Sequence, residues 1–120
     1  MLRQKELYIA NRIKVEKNSY GIDMETFDTP KCYKFFYMPT SNNTDYQLYG
    51  VNIGEIYVCY IDYNRYLGKF KVGDRAYLID NELTDLSIAG NDVNCENANY
   101  RIESVLPQNL KIKLTFVKIR

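Results

Sequence analysis

Residues 70–79 read Phe-Lys-Val-Gly-Asp-Arg-Ala-Tyr-Leu-Ile, and this stretch is the sharpest local structural signal in the chain. An apolar anchor, Phe70, leads into the pair Gly73-Asp74, which is typical of a tight turn, and a mostly apolar run follows. The pattern predicts a structural turn at Gly73 and Asp74 that feeds directly into a strand. The segments on either side carry strand patterns as well.

Alternating and continuous apolar patterns extend outward from this turn in both directions. In the first segment Ile9, Ile13 and Val15 share one face, while Lys14 and Glu16 point the other way. The predicted strands are, in chain order, 7–17, 22–27, 32–38, 55–61, the run after Gly73-Asp74, 100–106 and 110–119. Turns are predicted at 18–21, 62–65 and 107–109, and residues 80–99 are predicted to form mainly a loop, held down by Leu83, Leu86 and Ile88.

The composition favours strands over helices. The chain has 120 residues with 12 Tyr and no Trp, and Ile and Val are frequent while Ala is scarce. We therefore predict one all-β domain over 1–120, a small, mainly antiparallel β-barrel or sandwich. Residues 41–49 fit either one short helix or part of an ordered loop that runs to Gly54.

Several kinds of catalysis are excluded by residue content. The chain has no His, which rules out Ser-His-Asp and Cys-His catalysis and His-ligated zinc within it. Its cysteines, Cys32, Cys59 and Cys95, are widely spaced without a CxxC pair, which indicates a reducing compartment. Alternating acids such as Asp23 and Glu25 are typical of a solvated strand face. No catalytic residue and no cofactor are predicted, and we expect that the protein is not an enzyme.

One acidic spacing resembles a calcium-binding loop. It runs from Asp92 through Glu96 to Glu103. Asn97 stands where such a loop requires glycine, and no predicted helices flank the segment. A solvated, Asn-rich turn is therefore the favoured interpretation, and no metal site is predicted.

The charge balance bears on possible partners. Lys and Arg total 16 and Asp and Glu total 15, so the formal charge is +1, which argues against a general polyanion binder. A tyrosine stripe near basic residues keeps one alternative open, a small barrel that stacks single-stranded nucleic acid. Core packing and protein contacts explain such tyrosines more simply. The stripe is Tyr57, Tyr60, Tyr63 and Tyr66, close to Arg65, Lys69 and Lys71.

Membrane insertion is not expected. The longest apolar run, 56–61, is far shorter than the roughly 20 residues that span a bilayer. The first residues lack the apolar segment of a signal peptide. We expect the protein to be made and kept in the cytoplasm, or released only with an assembly or by lysis.

The order of the predicted elements resembles that of the small head-closure proteins of tailed bacteriophages, also called stoppers or head–tail joining proteins. Two short motifs carry the likeness: Val72-Gly73-Asp74-Arg75-x-Tyr77 and the terminal Tyr100-Arg101-Ile102-x-x-Val105 hairpin. The likeness covers most of the chain. The long segment 80–99 is less typical of that family.

The resemblance implies a β-barrel subunit that forms a ring, expected to be dodecameric, in the neck of the virion. Such a ring contacts a portal-bound adaptor on one side and a tail terminator or tail-completion protein on the other, and double-stranded DNA passes through it without sequence-specific contact. By position, the loop that gates the channel is 39–54. The predicted channel residues are Asn42, Asn43, Thr44, Asp45, Tyr46, Gln47 and Tyr49. A tail terminator or an adaptor of the same connector is the alternative within this class.

Overall fold

The computed structural model describes residues 4–39, 56–80 and 83–119 of the chain, and strands dominate those ranges. One helical turn, α1 (Tyr63–Tyr66), and two 3-10 turns, Ala89–Asn91 and Val93–Cys95, accompany them. The predicted all-β, mainly antiparallel class is confirmed. The strands are β1 (Lys5–Ala10), β2 (Arg12–Lys17), β3 (Asp23–Phe27), β4 (Lys31–Phe35), β5 (Tyr37–Pro39), β6 (Ile56–Asp62), β7 (Arg75–Tyr77), β8 (Tyr100–Gln108) and β9 (Lys111–Lys118).

Seven of these strands form one antiparallel sheet in the order β4-β1-β7-β8-β9-β6-β5. β4 and β5 lie at its opposite edges, yet only Phe36 separates them in sequence. Because consecutive Cα atoms are about 3.8 Å apart, the two edges must come together at this residue. The sheet therefore curls into a half-barrel.

The main hydrophobic core lies inside this curl. β1 directs Leu7 and Ile9 inward, as the alternation of a strand requires, and both are almost fully buried. Tyr100, Leu114 and Phe116 of the β8–β9 hairpin are fully buried against them. The nearly continuous apolar segment predicted at 55–61 is present as β6, which lies between β9 and β5.

A second, smaller core covers the outer face of β1 and β7. Residues 83–99 fold over this face as irregular chain, as the polar sequence predicted, and Leu86 is buried there. Leu83 is partly buried. Ile88 was wrongly predicted as an anchor, because it lies next to a 3-10 turn with its side chain 46% exposed.

β2 and β3 leave the half-barrel and pair only with each other, forming an arm over residues 12–27. The single predicted strand 7–17 is therefore two strands that separate at Asn11. Ile13 and Val15 do not share the buried face of Ile9, because they lie on the arm and are 60% and 45% exposed. The predicted turn at 18–21 is confirmed, and its Asn18 Oδ1 accepts hydrogen bonds from Tyr20 N and Ile22 N.

Three other predicted boundaries differ from the structure. The predicted strand 32–38 is divided by Phe36 into β4 and β5. The predicted turn 62–65 is α1, and Leu67 N closes it by donating to Tyr63 O. The last hairpin turns at Asn109 and Leu110, both of positive φ, so that 107 and 108 belong to β8. Pro107 is tolerated there because β7 pairs only with the first residues of β8, which leaves that edge open.

Candidate functional site

The seven predicted channel residues all lie outside the described residues, and so does the short helix or ordered loop proposed for 41–49. The gating role of Asn42, Asn43, Thr44, Asp45, Tyr46, Gln47 and Tyr49 stays a prediction. The predicted turn residues Gly73 and Asp74 are both described. They lie where the arm, β7 and β8 meet.

Asp74 forms the centre of this junction. Its side chain is 1% exposed, and its carboxylate accepts hydrogen bonds from Asn11 Nδ2 at 2.8 Å, Arg12 N at 2.8 Å and Lys71 N at 2.9 Å. Three donors on a buried carboxylate satisfy the charge locally. The turn is therefore a structural connection between the barrel and the arm.

Gly73 allows the chain to pass close to the arm. Its φ is +100°, a backbone conformation that side-chain-bearing residues rarely adopt, and a Cβ at this position would lie 2.6 Å from Arg12 Nη1. Gly73 N donates to Ile102 O, and Ile102 N donates to Asp74 O. The Gly-Asp pair is thereby bonded to β8 on the side away from the arm.

A single carboxylate also holds the arm against the barrel. Glu25 of β3 forms ion pairs with Arg12 at 3.1 Å and Arg75 at 2.6 Å. Arg75 also lies over the ring of Phe27, 4.8 Å from its centroid. The sequence pattern placed Glu25 with Asp23 on a solvated face, and that was wrong for Glu25 because β7 brings Arg75 beneath it.

An open groove of about 680 Å³ lies between β4 on one side and the end of β6 and α1 on the other. Beyond Cys59, β5 no longer pairs with β6, so the groove opens there between β6 and β4. Four aromatic rings pack beneath the groove at centroid distances of 5.2 to 6.4 Å. These rings are Tyr33, Phe35, Tyr66 and Phe70.

The rim of the groove is cationic. Arg65 and Lys69 are exposed and lie 5.5 and 5.8 Å from the centroid of Tyr66. Lys34 and Lys111 also line the groove, and Asp62 is the one carboxylate among its described lining residues. Phe36 and Tyr60, exposed by 40% and 47%, add apolar surface. The groove can therefore receive an acidic partner that has an apolar centre.

The tyrosine stripe does not form a continuous stacking surface. Tyr57 packs edge-on against Tyr37 and Tyr100 in the core, at centroid distances of 5.7 and 5.5 Å. Tyr66 is stacked on Phe70. Tyr60 lies on the opposite face of β6 from Tyr57, because their positions differ by an odd number along the strand. Ring–ring packing thus occupies rings that a nucleic-acid platform would require.

The acidic spacing from Asp92 to Glu103 does not assemble into one cluster. Asp92 accepts hydrogen bonds from Tyr77 Oη at 2.5 Å and from Asn97 N at 2.7 Å, while Glu103 pairs with Arg101 on β8. Burial, and then the bond to Asp92, raises the pKa of Tyr77. Within the described residues there is no group of three or more His, Cys, Asp or Glu side chains placed to hold a metal ion.

The three cysteines differ strongly in environment, and this gives a direct test of the fold. Cys59 is fully buried, and burial raises the pKa of its thiol from 9.0 to about 12. Cys95 is also buried and its thiol pKa is raised by burial, whereas Cys32 is exposed. At pH 8 we expect iodoacetamide to modify Cys32 at least about a hundredfold faster than Cys59 or Cys95.

Intact-mass measurement on the native protein should therefore show one adduct after brief exposure, and three adducts once guanidinium unfolds the chain. The Cys32→Ser variant is the matched control and should show none while native. Two rapid adducts on the native wild type would contradict the placement of β6 or of residues 83–99.

The chain matches no protein-family model, no curated protein and no solved structure. Among the described ranges, no helix has the length and apolar character needed to traverse a bilayer.

Proposed function

We propose that this chain is a structural, non-enzymatic subunit of the neck of a tailed bacteriophage. As a head-closure or stopper protein it would assemble with copies of itself into a ring, expected to be dodecameric, below the portal-bound adaptor. It would be made in the cytoplasm of the host bacterium and remain in the virion. The proposal rests on the family likeness of its motifs, and one structural observation supports it most.

That observation is the arm. A two-stranded ribbon has no core of its own, and this one exposes apolar side chains on both of its faces. Exposed apolar residues concentrated on one two-stranded element are typical of a surface that contacts another protein. These residues are Ile13, Val15, Tyr20, Ile22 and Met24, each at least 45% exposed. The arm suits contact with a neighbouring connector protein such as the adaptor or the tail-completion protein.

The gating loop provides the main functional test. Replacing 42–49 with a short Gly linker removes the predicted channel residues, so assembled heads should lose packaged DNA while the β-sheet circular dichroism of the subunit is unchanged. The measurement is the nuclease-resistant DNA retained per head, with a scrambled 42–49 segment of the same length as the control. Full retention of the genome by the linker variant would count against the gating role.

The alternative of a tail terminator or adaptor within the same connector differs in its neighbours. Site-specific crosslinking from Tyr20 at the tip of the arm would identify them. Crosslinks to tail-tube protein alone would favour a terminator, and crosslinks to the portal itself would favour an adaptor.

One observation favours a second candidate function, binding of single-stranded nucleic acid, and it is the cationic rim of the groove. A titration with a labelled oligonucleotide at low and moderate salt distinguishes the two. Tight binding with a steep salt dependence would support the nucleic-acid barrel. The packed tyrosines described above favour the neck protein instead.

A further inference from the structure

Charge is strongly segregated along this nearly neutral chain. From 78 to 100 there is no Lys or Arg. The same stretch carries five carboxylates, namely Asp80, Glu82, Asp85, Asp92 and Glu96. The formal charge of +1 therefore combines a negative segment with an excess of cations elsewhere.

The described part of this segment, 83–99, is here called the acidic insert, and two of its three carboxylates face outward, whereas Asp92 bonds Tyr77. Asp85 and Glu96 are exposed. Val93 and Ile88 are exposed by 77% and 46%, so the insert also exposes apolar side chains. The insert thus presents both carboxylates and apolar side chains to a partner.

The groove has the complementary character. Arg65, Lys69 and Lys111 line it, and none of them lies within ion-pair distance of a carboxylate among the described residues. Phe36 and Tyr60 supply its exposed apolar surface. A groove that exposes cations and aromatic side chains is complementary to an insert that exposes carboxylates and aliphatic side chains, since protein interfaces combine opposite charges with apolar contact.

The two surfaces lie on different parts of the half-barrel. The acidic insert covers the outer face of β1 and β7, whereas the groove opens between β4 and β6. A contact between two different surfaces can repeat head to tail from copy to copy, as well as occur twice across a two-fold axis. Such a head-to-tail contact makes a ring when the rotation closes.

We propose that the acidic insert of one copy docks on the groove of the next copy, and that this contact builds the ring. The proposal deepens the proposed function, on which it rests for the ring. A second copy is favoured over a nucleic acid because one chain carries both complementary surfaces and because Tyr33, Phe35 and Tyr66 in the groove are already packed against each other.

Substitutions that reverse the charges of the groove and of the acidic insert test this contact. The groove variant carries Arg65→Glu and Lys69→Glu, and the insert variant carries Asp85→Lys and Glu96→Lys. All four positions are exposed, so circular dichroism should be unchanged. Each variant alone places like charges on both surfaces, and its self-association should weaken by at least about tenfold. Lys31→Glu and Val72→Lys change exposed positions outside the groove, the insert and the arm, so these variants are the controls and should assemble as the wild type does.

Mixing the groove variant with the insert variant in equal amounts is the decisive measurement. The mixture restores opposite charges at every contact, so native mass spectrometry and light scattering should show alternating assemblies that neither variant forms alone. No recovery in the mixture, a wild type that stays monomeric at high concentration, or loss of oligonucleotide binding as the only effect of the groove variant would each overturn the proposal.

Failure of this contact and failure of the proposed function give different results. If both variants close packed heads normally, the contact is wrong and the neck function stands. If the mixture assembles while the linker replacement of 42–49 has no effect on packed heads, the contact stands and the gating role fails.

Discussion

The Asp74→Ala variant is expected to lose about 3–5 kcal/mol of unfolding free energy, because three hydrogen-bond donors lose the buried carboxylate that accepts from them. Those donors belong to Asn11, Arg12 and Lys71, and Arg12 begins the arm. Urea unfolding followed by circular dichroism measures the loss. The matched control is Asp28→Ala, which removes one exposed bond to Thr29 N and should cost about 1 kcal/mol or less.

Asp74→Asn separates hydrogen bonding from shape. The amide keeps the size of the carboxylate but presents an NH₂ group to donors that need an acceptor, so about 2 kcal/mol should be lost. If Asp74→Asn proved as stable as the wild type, the carboxylate would not be the acceptor that this junction requires. If Asp28→Ala and Asp74→Ala lowered the unfolding free energy equally, burial of the Asp74 carboxylate would not explain its contribution to stability.

Phe70→Ala is expected to cost about 3–5 kcal/mol, the usual range for removal of a buried aromatic ring from a core. Phe70 is 4% exposed and contacts Tyr33, Phe35 and Tyr66 in the ring cluster beneath the groove. Urea or thermal unfolding measures the effect. Leu67→Ala is the control nearby, since Leu67 is 55% exposed and its truncation should change stability by less than about 0.5 kcal/mol.

The same substitution tests the groove. Without Phe70 the three remaining rings lose a common neighbour. The ring of Tyr66 should then move, and Arg65 and Lys69 should lose their fixed positions near it. Phe70→Leu, which keeps an apolar side chain, should lose less than half as much stability. Equal losses for Leu and Ala at this position would mean that the ring contacts add nothing to apolar burial.

Local sequence patterns predicted the strand content well. β6 is recognisable from its continuous apolar residues, and the last hairpin from the alternation of Ile112, Leu114 and Phe116 with Lys111 and Lys113. The turn at Gly73-Asp74 was located because its residues are unusual and its flanks are apolar. In each case the physical cause is local, namely the period-two burial of a strand or the backbone freedom of glycine.

The errors arose where distant residues decide the structure. The chain leaves the sheet at Asn11 because its side chain bonds Lys69 O and Asp74 Oδ2, which are remote in sequence. The division at Phe36 reflects the curl of the whole sheet. The partial burial of Glu25 depends on its ion pair with Arg75, which is remote in sequence. The separated charges that define the groove and the acidic insert were present in the sequence, but their faces become visible only with the fold.

The attachment of the arm has a mechanical consequence. Arg12 begins the arm, and its main-chain N–H is held by the same carboxylate that secures the loop before β7. Force applied by a neighbour at the arm's tip would therefore reach the barrel through the Asp74 carboxylate and through the Glu25–Arg75 ion pair. Tension on the arm is therefore shared between the loop before β7 and Arg75, the first residue of β7.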